Sequence, residues 1–109
     1  MTDKQKRITK FLLHKWRKDT QNLTNNLSKR RLRLLYGSLK KLSEPDRQFL
    51  SDKYYRLDAN KPFSDETMAQ KYEISKKEYV KRRLDIESKL GAIVTETEKQ
   101  TKLQEEKER

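Results

Sequence analysis

Between residues 8 and 42 the apolar side chains Ile8, Phe11, Leu12, Trp16, Leu23, Leu27, Leu34, Leu35, Leu39 and Leu42 recur at steps of three, four or seven. No Gly or Pro intervenes before Gly37. A period of 3.6 residues gathers such positions on one side of a helix, whereas a half-buried strand would need strict alternation. One or two long amphipathic helices are therefore predicted for the front third, and an all-α fold for the chain. The run "DTQNLTNNLSK" is rich in Asn, Thr and Ser, whose side chains compete for backbone hydrogen bonds, so a break near Asn25 and Asn26 is expected. Gly37 is a second weak point that could end a helix at Tyr36.

Better-marked helices follow. Ser43 is a good N-cap, Pro45 falls in the first turn where its missing N–H costs nothing, and Glu44 and Asp46 favour the positive end of the helix dipole. Phe49, Leu50, Tyr54 and Leu57 supply an apolar stripe, and the pattern is expected to stop before "DANKPF". Ser64 can cap a short helix over 65–72, with Met68, Ala69 and Tyr72 on one buried face. After Glu73, Ile74 and Ser75 a further helix starts, with Ser75 and Glu78 spaced as a capping box. Tyr79, Ile86 and Leu90 share its buried side, Lys77, Lys81, Leu84 and Ser88 occupy the opposite side, and Gly91 stands where a terminating glycine is preferred.

Charge narrows the partner. The 109 residues carry 28 Lys and Arg against 17 Asp and Glu, a formal +11, and only 31% are hydrophobic. That basic excess favours a polyanion, nucleic acid first and an anionic membrane surface second. Its weight is at the front: residues 1–47 hold 14 basic and 4 acidic groups (+10), residues 48–91 hold 10 and 8 (+2), and residues 92–109 hold 4 and 5 (−1). No window approaches the roughly 20 apolar residues of a membrane span, and no membrane partner is expected. The absence of cysteine, together with an N-terminal apolar run too short for a secretory signal, fits the cytoplasm.

Two short helices joined by a tight turn, the second with an apolar back and a cationic front, meet the requirements of a helix-turn-helix. In such a unit the first turns of the second helix enter the major groove, where Lys reaches guanine O6 and N7 and an apolar group touches the thymine methyl. Lys76, Lys77, Val80 and Lys81 are thus candidate base contacts on double-stranded DNA. Arg82, Arg83, the two capping residues Ser64 and Ser75, and the upstream Lys29, Arg30 and Arg31 are candidate phosphate contacts.

The run "LSEPDRQFLSDKYY", a short loop, "SDETMAQKYEIS" and "KKEYVKRRLDIESKL" resemble the fourth-region helix-turn-helix of bacterial sigma factors, and in particular the phage-borne, sigma-like ArpU-family late transcription regulators. The likeness covers residues 42–91. Leu42, Phe49 or Leu50 and Tyr54 match the leading helix, Met68 and Ala69 the hydrophobic-plus-Ala pair, Ile74 and Ser75 the turn, and Tyr79, Ile86 and Leu90 the buried side of the second helix. The resemblance implies a DNA-binding regulator of transcription from a phage or mobile element, with an RNA polymerase contact among its partners. Two positions depart from the pattern: Glu73 stands where Gly is usual, and Thr67 where Glu is common. A non-Gly residue takes a left-handed conformation at some cost, so a more open turn is expected.

Competing readings follow from the same residues. A Lys- and Arg-rich helix face is ordinarily a solvated face, and Tyr at helical spacing is ordinarily a core residue with a wet hydroxyl. A helix-turn-helix can also serve a phage DNA-packaging subunit of the small-terminase kind, or bind a partner protein through Val80 and Leu84. Trp16 is read as an anchor for the first helix against its own domain or a second subunit, and His14 stands without further metal-ligand residues. No carboxylate cluster or Gly-rich phosphate loop is visible, so neither enzymatic activity nor a cofactor is expected. The chain divides into a basic amphipathic segment (1–41) acting as DNA arm or homodimer contact through residues 8–42, a sigma-like domain (42–91), and a charged tail (92–109) that is frayed helix or disordered.

Overall fold

The computed structural model describes residues 3–55 and 61–107, with side chains to residue 100. Five helices follow in order: α1 (Asp3–Gln21), α2 (Asn26–Leu39), α3 (Glu44–Tyr54), α4 (Asp65–Tyr72) and α5 (Lys76–Lys107). The fold is all-α, with no strand among the described residues.

The breaks lie where local chemistry asks for them. Asn25 ends the α1–α2 connection by accepting from the Leu27 and Ser28 amides at 2.8 and 3.2 Å, which satisfies donors that a helix start leaves open. Ser43 caps α3 through the Asp46 amide, and Ser64 caps α4 through the Thr67 amide at 3.1 Å. Ser75 does the same for α5 through Glu78. Leu57, assigned to the stripe of α3, lies outside the described residues.

Both glycine expectations fail. Gly37 sits within α2, which runs on to Leu39, and Gly91 is buried inside α5, which continues to Lys107. A mid-helix Gly costs about 1 kcal/mol relative to Ala. Burying Leu90 and Val94 on the turns either side of Gly91 outweighs that, at about 1.5–3 kcal/mol per fully buried aliphatic side chain. The stretch after Gly91 is accordingly part of a 32-residue helix.

α5 is the axis of the molecule. All four preceding helices pack on it, and α1 also packs on α2 and α3. One core joins Leu12, Leu13 and Trp16 of α1, Leu32, Leu35 and Leu39 of α2, Phe49, Leu50 and Tyr54 of α3, Met68 and Ala69 of α4, and Tyr79, Ile86, Leu90 and Val94 of α5. The predicted division at residue 41 therefore does not separate two cores. Trp16 anchors α1 against its own chain: its Nε1 donates to the Tyr36 hydroxyl at 2.8 Å, and its ring lies 5.3 Å from that of Tyr55. Of the apolar stripe, Leu12, Trp16, Leu35, Leu39 and Leu42 are buried in this core, whereas Phe11, Leu23 and Leu27 are exposed, as is Tyr36.

Candidate nucleic-acid interface

The junction of α4 and α5 is closed by a left-handed residue. Glu73 adopts φ 57° and ψ 40°, the one non-Gly positive φ among the described residues. Its amide donates to the Gln70 carbonyl at 3.2 Å and the Ile74 amide to the Ala69 carbonyl at 3.1 Å. This pairing is that of a Schellman motif, with Ile74 folded back against the core. The more open turn expected from the missing glycine is not formed: two hydrogen bonds and the burial of Ile74 offset about 1–2 kcal/mol of left-handed strain.

Behind the turn, Phe49 of α3, Tyr72 of α4 and Tyr79 of α5 stack with centroids 5.0 to 6.1 Å apart. Tyr72 donates to Asp52 at 2.6 Å. Burial first, and then that carboxylate, push its phenol up to about 12, so it remains a donor at neutral pH.

A partly buried ion cluster ties α4 to α3 and α5. Asp65, at the start of α4, lies 3.0 Å from Lys53 Nζ of α3 and 3.0 Å from Arg83 Nε of α5. Arg83 also donates to Glu87 at 2.7 Å, and Glu87 accepts from the Tyr54 hydroxyl at 3.1 Å. Burial alone would raise the Asp65 carboxyl, but the hydrogen bond from Lys53 and the charge of Arg83 outweigh it and hold it below the ordinary 3.8. Burial would likewise lower the Arg83 guanidinium, yet Glu87 keeps it above its ordinary range.

The predicted contacts thus separate into two groups. Lys77 and Lys81 are exposed on the first turns of α5, Val80 is half-buried between them, and Arg82 is exposed with its guanidinium 4.7 Å above the Phe49 ring. Lys76 is exposed and pairs with Glu66 at 3.3 Å. Ser64 and Ser75 use their hydroxyl oxygens as caps. Arg83 is the correction: its side chain is 12% exposed and committed to two carboxylates, so it ties helices together instead of reaching outward. Arg31 is similarly held by Asp19 at 2.7 Å and lies 5.5 Å over the Phe11 ring, while its neighbours Lys29 and Arg30 are exposed. Asp19 also accepts from Ser28 at 2.9 Å. Burial would raise its carboxyl, and the hydrogen bonds from Arg31 and Ser28 reverse this and lower it.

Within the basic segment expected to act as a DNA arm, the structure picks out one feature on α1. Lys10, His14 and Lys18 form a stripe beside its core face, and His14 packs edge-on against Tyr54 at 5.4 Å. Their four-residue spacing was visible in the sequence. What was not visible is that α1 packs on α3 and so brings the stripe against Tyr54.

Compared with protein-family models, curated proteins and solved structures, the chain matches none. No helix among the described residues is long and apolar enough to cross a membrane.

Proposed function

We propose that this chain is a sequence-specific DNA-binding regulator of transcription, of the kind carried by phages and mobile elements, in which α4 and α5 act as a helix-turn-helix. The observation that supports this reading is the first two turns of α5. Tyr79 is buried there while Lys77 and Lys81 stand exposed about Val80, directly after a turn locked by Glu73 and an ion cluster that immobilises α4. Exposed Lys side chains on a rigidly held helix can donate to guanine edges, and Val80 can meet a thymine methyl. The likeness of residues 42–91 to sigma-like regulators points the same way and makes RNA polymerase a further proposed partner. A protein partner is the second reading, favoured by Leu84, 41% exposed one turn beyond Val80.

Selection of bound sites from random duplex DNA tests the proposal. A recurring motif is expected, and in the Lys77→Ala/Lys81→Ala variant the preference for it should shrink, each base contact being worth about 1–3 kcal/mol of discrimination. Recovery of no motif, or an unchanged preference in the variant, would overturn it. Leu84→Ala should leave DNA binding intact.

A further inference from the structure

Two adjoining depressions of about 560 and 380 Å³ run between α1 and the end of α3, sharing His14, Tyr54, Lys61 and Pro62. The first is lined in addition by Phe11, Lys15 and Lys18, the second by Lys10, Lys53 and Arg83. No described carboxylate lines either one. Among the described carboxylates near the groove, Asp19 turns inward to Arg31, and Asp65 to Lys53 and Arg83. Lys10 and Lys18 are exposed and have no ion-pair partner among the described residues. The His14 Nδ1–H donates to the Lys10 carbonyl at 2.8 Å, which fixes the ring across the floor against Tyr54. The result is a cationic groove with an aromatic floor and walls of Lys.

We infer that this groove grips the phosphodiester backbone of the duplex that α5 reads, extending the contact beyond the major groove. The inference rests on the proposed DNA-binding function. Continuity supports it over an unrelated acidic ligand. Arg83, at one end of the groove, belongs to α5 and lies about 9 Å of helix rise from Lys77. The groove thus ends on the same helix that carries Lys77 and Lys81, and Lys10, Lys15 and Lys18 continue it with positive charge. From Lys10 to Lys18 the stripe spans about 12 Å, or three to four phosphate steps at about 3.4 Å each along the duplex axis. The contacts are to phosphates, so they add affinity and salt dependence without sequence preference.

The test compares full-length wild type, Lys10→Ala/Lys18→Ala, Lys77→Ala/Lys81→Ala and a Lys99→Ala control on 30-base-pair duplexes over a range of salt. Lys10 and Lys18 are exposed, so melting temperature should not move. The groove variant should lower the slope of log affinity against log salt by about 2, near 0.9 for each lost phosphate contact. It should weaken binding to every sequence by the same factor, and Lys99→Ala should leave the slope unchanged. A wild-type slope in the groove variant overturns the groove alone, provided Lys77→Ala/Lys81→Ala still loses preference. A reduced slope with preference intact in the α5 variant keeps the groove and removes the reading of α5. Failure of the wild type to bind duplex overturns both, and displacement of the duplex by polyglutamate at equal charge overturns the groove in favour of an acidic protein.

Discussion

The two ends of the molecule handle positive charge differently. Around α1 and α2 the lysines face outward and the one interior carboxylate, Asp19, is spent on a single arginine and a serine. Around α3, α4 and the start of α5, cations alternate with carboxylates in a chain running Lys53, Asp65, Arg83 and Glu87, ending on the Tyr54 hydroxyl. The first arrangement builds a field, the second a joint. A sequence-level charge count treats the arginines of both as equally available, although Arg83 is largely buried on two carboxylates and Arg31 is held by Asp19.

Breaking each joint should give unequal losses. Glu87→Ala leaves Arg83, the more deeply buried guanidinium, with one partner fewer and strands the Tyr54 hydroxyl; about 3 kcal/mol of stability should disappear in chemical denaturation. Asp19→Ala should cost about 2 kcal/mol, because Arg31 is 27% exposed and can regain water. Equal losses would mean that the two clusters are energetically alike.

Acid sharpens the same contrast. In the folded state both Asp19 and Asp65 titrate below their ordinary 3.8. The unfolded chain therefore binds protons first as pH falls, so the stabilisation is complete above 3.8 and is lost as pH drops through the lowered values. Asp19→Asn and Asp65→Asn variants should each show a flatter decline in melting temperature below pH 4 than the wild type. Identical acid limbs would show that neither carboxylate contributes.

The smallest effects concern the backbone. Glu73→Gly should stabilise by about 1 kcal/mol by removing left-handed strain. Gly37→Ala should add about 0.5–1 kcal/mol, since a Cβ there would meet Thr97 Cγ2 at an ordinary 3.9 Å. A loss of stability in either variant, read by thermal melting, would mean that the turn or the α2–α5 contact is tighter than described.

Much of the fold was legible because it is written in local signals. Ser43, Ser64 and Ser75 marked helix starts, the Asn-rich run marked the break before α2, and the bounds of α4 could be read from its cap and the turn that follows. The glycines misled because local propensity is weak beside tertiary burial: Leu90 and Val94 hold α5 together through Gly91. Lys77 and Lys81 were identifiable as outward-facing by their spacing from Tyr79 and Ile86. The inward turn of Arg83 had only a faint signal, its four-residue spacing from Glu87. The basic character of α1 was legible, but the groove along it was not, since that depends on α1 lying against α3.

The continuity of α5 through Gly91 also has a consequence for synthesis. Tyr79, Ile86, Leu90 and Val94 form the surface on which the four earlier helices pack, and they are made after those helices. During translation the cationic α1 and α2 emerge with their apolar stripes uncovered, able to pair with each other but without the helix that completes the core. The domain is thus built to close late, when its last helix arrives and the whole chain condenses around it.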